Sequence, residues 1–113
     1  MPEIDKEKNN VLLFAYGTLL NKKICQDLFG EQPTVLAKAR LHGWQKITRE
    51  KYPYLVPQKN SSVEGTILQL TKKQLIIADK WEEVPEVYYR TPIIAEKQDQ
   101  SRVTVWVYLK KHI

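Results

Sequence analysis

The sequence predicts an α+β fold: a small mixed β-barrel of about six strands with two flanking helices. Three observations carry that reading. Several short runs alternate apolar and polar residues with the period of strands, whereas two other segments space their apolar residues as helices do. Each helical segment opens on a capping residue. The strands are also many for 113 residues, and a flat open sheet would expose edges that closure into a barrel removes. The length suits one compact domain. Residues 1–10 are polar and aperiodic and read as a flexible N-terminal tail, leaving 11–113 as the single domain.

Residues 11–15, VLLFA, are short and apolar, as a buried strand is. Tyr16-Gly17-Thr18-Leu19 follows, with Gly17 permitting a sharp turn. Asn21 then reads as an N-cap, Ile24, Cys25, Leu28 and Phe29 form one stripe, and Gly30 supplies a stop, giving a helix over 22–29. In TVLAKARLHGW, Val35, Ala37, Ala39 and Leu41 alternate with polar or basic residues, so this is a strand. Residues 49–60 hold two prolines and read as a long loop with a short extended piece at 54–56. A strand over 62–70 comes next, in which Gly65 allows a close backbone approach or a bulge. Thr71 with Gln74 matches a capping box and starts a helix over 71–83, limited by Pro85. Two β-rich stretches, 88–96 and 102–110, close the domain as a hairpin, with Val103, Val105, Val107 and Leu109 on one face.

Composition narrows the function classes. No apolar run is long enough to cross a bilayer, and the charged first residues lack a signal-peptide core, so a cytoplasmic protein is expected. Cys25 is the only cysteine, and His42 and His112 belong to no ligand motif; no metal site is expected. Cys25 lies in KKICQDLF, where it reads as a small apolar helix residue in preference to a nucleophile. The net charge of +5 is scattered, which suits solvated faces better than a polyanion groove.

The second helix carries an oddity. With Leu75 at zero, a rotation of about 100° per residue places Ala78 at roughly −60° and Glu82 at roughly −20°, on the apolar arc. Glu83 and Asp79 are assigned to the opposite, polar side with Lys72 and Lys80. A carboxylate turned inward is costly unless paired or protonated, and burial moves its pKa toward neutrality, where a general base works. Taken alone, Glu82 also fits a frayed helix end open to water, or an ion pair with Arg90 or a lysine. The 16–19 turn likewise fits either a plain connector or a set of main-chain N–H groups aimed at an anion.

Several segments together resemble one family. FAYGTL (14–19), LHGW (41–44), YPYLVP (52–57), SSVEGTIL (61–68), ADKWEEVPEVYYR (78–90) and VWVYL (105–109) follow the order and spacing of the gamma-glutamyl cyclotransferase-like proteins. The likeness is to the small branch that includes the gamma-glutamylamine cyclotransferases, and it covers about residues 11–110. The resemblance implies a small mixed barrel, a YGTL turn that binds substrate through main-chain groups, and a catalytic glutamate in a D-x-x-E segment. Asp79-Lys80-Trp81-Glu82 puts that role on Glu82. It also implies the reaction: the α-amino group of a γ-glutamyl amide attacks its own γ-carbonyl, forms 5-oxoproline and expels an amine. No cofactor is called for. Tyr16, Gly17, Thr18, Leu19 and Tyr88 are the substrate-binding candidates, and Arg90 a possible carboxylate partner. The chain departs from the family pattern at Glu83, where Gly is frequent, and at Ala78-Asp79, where Leu-Asp is common. Glu83 is expected to add negative charge near the site, which would either push the Glu82 pKa higher or point to a different substrate. Two rival readings are a non-catalytic small-molecule-binding member of the fold and a barrel for single-stranded nucleic acid. The latter leans on the basic charge and on three Trp and six Tyr. Those aromatics sit mostly at apolar positions, which argues for core packing. The leaving amine and the oligomeric state are not readable from the residues.

Overall fold

A computed structural model describes residues 10–112. The tail expected over 1–10 therefore lies outside the described residues except for Asn10, which already belongs to the first strand and pairs with Thr71. The elements are β1 (Asn10–Ala15), a 3-10 turn (Thr18–Leu20), α1 (Lys22–Phe29), β2 (Thr34–Ile47), β3 (Tyr54–Thr71), α2 (Lys72–Trp81), β4 (Tyr88–Lys97) and β5 (Arg102–Lys110). The strands form a closed barrel in the order β1-β3-β2-β4-β5. Neighbours pair antiparallel except at the closing seam, where β1 runs parallel to β5 at Leu13 and Trp106.

The barrel has five strands where about six were expected. The difference lies in residues 54–71. Both the expected extended piece at 54–56 and the expected strand at 62–70 pair with the same partner, β2, and so merge into one long strand. The register slips between them, leaving residues 58–61 opposite Gly43 alone, and Pro57 sits beside the slip. A second slip lies between Val35 and Ala37. It takes Val35 and Leu36 out of the alternation, and both are exposed, whereas Ala39 and Leu41 are buried as expected.

Both helices are set by local caps. The Asn21 side chain accepts from Ile24 N–H, and Gly30 ends α1 in the left-handed conformation. Thr71 and Gln74 form the full capping box of α2, which ends at Trp81 and leaves Glu82 as its C-cap.

The core has two layers. Phe14, Tyr16, Leu41, Leu55, Ile67, Val105, Val107 and Leu109 pack together on one side of the strands. The alternate residues Leu13, Ala15, Leu68, Leu70 and Tyr108 pack with Leu19, Cys25, Leu75 and Ala78 of the turn and helices. At Gly65 the strands come close: a Cβ there would lie 2.5 Å from Phe14 Cζ and 2.6 Å from the Ala15 carbonyl oxygen. That is the close approach the sequence allows for. Among the described residues, no helix is long and apolar enough to cross a membrane.

Candidate active site

A cavity of about 170 Å³ opens where the end of β1 meets the end of α2. All six residues singled out in the sequence line it: Tyr16, Gly17, Thr18, Leu19, Glu82 and Tyr88. Tyr52, Pro53, Trp81, Glu83 and Tyr108 complete most of the remaining wall.

The floor grows out of the buried strand β1. Tyr16 continues its inward face, and its hydroxyl donates to the Tyr108 carbonyl at 2.6 Å. Gly17 then lets the chain pass under Pro53; a Cβ would stand 3.0 Å from the proline ring. The turn's own hydrogen bonds use the N–H groups of Leu20 and Asn21, which donate to Gly17 and Thr18 carbonyls at 3.0 Å. The first N–H groups of a helical turn have no acceptor inside it, so those of residues 17–19 are available to an anion. Two side chains brace the turn. The Trp81 indole N–H donates to Thr18 Oγ1 at 2.9 Å, and the Lys46 ammonium donates to the Tyr16 carbonyl at 3.3 Å. Tyr88 is fixed by a 3.0 Å bond from its hydroxyl to the Pro53 carbonyl.

Cys25 stands beside this turn but outside the cavity. It is buried and donates to the Leu19 carbonyl at 3.2 Å. Burial pushes its thiol up, which suits the packing role read from the sequence.

Glu82 is half-buried at the helix end. Burial, and then the negative charge of Asp79, push its carboxyl up to about 7. The carboxyl therefore titrates in the neutral range, where it is able both to take and to give a proton. Burial also raises the neighbouring phenols; Tyr88 is pushed up to about 12, with Glu82 adding to the effect, and Tyr16 and Tyr108 go higher still. All three tyrosines are neutral hydrogen-bonding walls near pH 7.

Two expectations need correction. Asp79 does not point to the polar side. Its carboxylate receives Arg90 Nε at 2.6 Å, Arg90 Nη2 at 3.0 Å and the Tyr108 hydroxyl at 2.7 Å. At about 100° per residue Asp79 falls only some 40° from Leu75, on the same arc as Glu82, so helical geometry already held the signal. Arg90 is thus the partner of Asp79 and not of Glu82. Nor does Glu83 supply the charge that adds to burial at Glu82: Asp79 does, while Glu83 is exposed at φ 56° on the cavity rim. Sequence reasoning missed Tyr108, Tyr52 and Pro53 as wall residues, because the topology brings them in from distant segments. Trp81, which the helical rotation places away from Glu82, reaches the site through its indole edge. Among the described residues no group of His, Cys, Asp and Glu is placed to hold a metal ion.

Comparison with known proteins follows the same direction. A family model described as gamma-glutamyl cyclotransferase, AIG2-like, matches residues 13–112. A Methanocaldococcus jannaschii protein, whose name pairs gamma-glutamylcyclotransferase with a candidate RNase, is 34% identical over 115 residues. That match covers 98% of this chain and 51% of the relative, so the chain spans about half the length of that curated protein. Among solved structures, one from Arabidopsis thaliana superposes with a TM-score of 0.80 at 23% identity, covering 92% of this chain and 70% of its own. A gamma-glutamyl cyclotransferase gives 0.78 at 18% identity, over 90% and 67%. An AIG2-like protein from Mus musculus gives 0.75 at 21% identity, over 93% and 80%. At these identities the structural likeness speaks for the fold alone.

Proposed function

The chain belongs to the gamma-glutamyl cyclotransferase, AIG2-like family, and from that premise we propose that it releases 5-oxoproline and a free amine from a γ-glutamyl amide, with Glu82 as general acid/base. The observation that carries the reading is a single small cavity shared by Glu82, with its raised proton affinity, and the 16–19 turn.

In this reading the turn grips the folded glutamyl group through its main-chain N–H groups, and the α-amine lies against its own γ-carbonyl. The α-nitrogen bonds to the γ-carbon and closes the five-membered lactam. That amine arrives mostly as an ammonium: the Glu82 carboxylate takes its first proton and hands it to the departing nitrogen as the amide C–N bond breaks, then takes the second proton from the ring nitrogen and passes it to the freed amine. Protons balance, and no enzyme nucleophile is required. Orientation of two groups in one molecule is worth about 7–11 kcal/mol of barrier, so much of the work is positional. The cavity, at about 170 Å³, is smaller than the roughly 300–1,000 Å³ of sites that engulf drug-sized ligands. It suits the glutamyl group, with the leaving amine directed to the mouth between Tyr52 and Trp81.

The test is a mass-spectrometric screen of γ-glutamyl amides for 5-oxoproline, run with the wild type and Glu82→Gln. The variant should lose about 100- to 10,000-fold in rate with its circular dichroism unchanged. Turnover by the variant at the wild-type rate would refute the assignment.

A further inference from the structure

Behind the cavity wall lies a polar cluster that the proposed chemistry leaves unused. Asp79 sits three residues before Glu82 on α2, a neighbouring position on the helix surface. Arg90 of β4 and Tyr108 of β5 both bond its carboxylate, so the cluster ties three elements together. The Arg90 guanidinium is itself stacked 4.5 Å from the Trp106 ring centroid. The ion pair is sheltered, with Arg90 and Asp79 side chains only 25% and 20% exposed. Tyr108 belongs to the cavity wall, and its carbonyl holds the Tyr16 hydroxyl. The cluster is therefore coupled to the turn as well as to the helix end.

We propose that Asp79 is a positioning residue: clamped by Arg90 and Tyr108, it holds the cavity wall and sets a carboxylate behind Glu82, so that the proton Glu82 takes from the α-nitrogen is held for the leaving amine. This rests on the reading of Glu82 as the acid/base. Two bonds from Arg90 and one from Tyr108 hold the Asp79 carboxylate in place behind Glu82. A fixed anion then disfavours a second ionisation beside it, and Asp79 acts on Glu82 in the same direction as burial. Arg90 moderates that push by partly neutralising Asp79. The other ionisable groups around Glu82 do not supply it. Tyr16, just after β1, and Tyr88 and Tyr108 of β4 and β5 line the same cavity, and burial keeps them neutral. Glu83 and Tyr52 lie exposed at the rim, and Lys46 of β2 bonds the Tyr16 carbonyl.

Carboxyl-13C glutamate labelling provides a direct test, with the Glu82 resonance identified by its loss in Glu82→Gln. Asp79→Asn should lower the Glu82 titration midpoint by about one unit, and Arg90→Gln should raise it. Tyr108→Phe keeps both charges and should move it least. The limb of the pH–rate profile that reports Glu82 should shift with the resonance. Opposite signs from Asp79 and Arg90 are not the mark of a loosened fold. A midpoint that stays put in both variants, or moves the same way in both, overturns the proposal. Should Asp79→Asn not fold, Arg90→Gln decides alone: absence of a rise overturns it. If Glu82→Gln keeps wild-type activity, the acid/base reading fails while the titration still reports the coupling, so the two failures are distinguishable.

Discussion

Replacing Glu82 by glutamine should stabilise the fold, and by an amount that depends on pH. The carboxyl is displaced from its ordinary 4.5 to about 7. Each pKa unit is worth about 1.4 kcal/mol, so the displacement corresponds to about 3 kcal/mol. The sign follows from proton binding. Between pH 4.5 and about 7 the folded chain holds a proton at Glu82 that the unfolded chain has released, so stability falls as pH rises through that window and levels off above it. Below 4.5 the carboxyl is neutral in both states and the penalty vanishes. Glutamine never ionises. The variant should therefore match the wild type near pH 4 and exceed it by about 1–3 kcal/mol at pH 8.5, the lower figure allowing for residual solvent contact. At about 4 °C per kcal/mol for a domain of this size, Tm should rise by about 4–12 °C at the alkaline end. Urea and thermal unfolding of both proteins at pH 4, 6 and 8.5 supply the comparison, in which titrations common to both cancel. A stability difference that is flat across this range, or a variant weaker than the wild type at pH 8.5, would refute the claim that the fold shelters an ionisable Glu82.

Two further substitutions probe the scaffold around the site. Gly65→Ala places a methyl group 2.5 Å from Phe14 Cζ and 2.6 Å from the Ala15 carbonyl, and since backbone has to yield, urea unfolding should show a loss of about 2–3 kcal/mol; a loss under about 0.5 kcal/mol would mean that β1 and β3 are less tightly apposed. Trp81→Phe removes the 2.9 Å indole bond to Thr18 Oγ1, which links the helix end to the 16–19 turn. KM for a γ-glutamyl amide should rise about fivefold, in line with about 1 kcal/mol for one hydrogen bond, and kcat should change less; an unaltered KM would show that the turn holds its shape without that bond.

What could be read from the residues was what is encoded locally. Asn21, Gly30 and the Thr71–Gln74 box act within a few residues of themselves: α1 begins and ends where Asn21 and Gly30 put it, and α2 begins where its box puts it, although it stops at Trp81 and not at the expected 83. The strict alternation of Val105, Val107 and Leu109 likewise fixed the inward face of β5. The long β3 was read as two pieces because its continuity comes from pairing with β2, across a register slip that no local pattern announces. Glu82 was visible because a charge on an apolar arc is anomalous without any knowledge of its surroundings. The same rotation applies to Asp79, yet its meaning depends on Arg90 and Tyr108, which arrive from two later strands. Wall residues such as Tyr52, Pro53 and Tyr108 carry no signal in their own segments; only closure of the barrel assembles them.

That closure makes the corner shared by Glu82 and the 16–19 turn a product of the whole chain. β1 comes first in sequence, yet its second edge is capped only by β5, and the Tyr16 hydroxyl waits for an acceptor 92 residues downstream. During synthesis the glycine bend emerges early and stays half-built until the final strand slots in. Long-range closures of this kind are slow to form, and this seam is carried by one parallel pair, Leu13 with Trp106. Parting of the β1–β5 seam would undo the corner that holds Tyr16 while the β2–β3 ribbon is still intact, so under the proposed function loss of activity should precede loss of bulk β-structure as the protein is warmed.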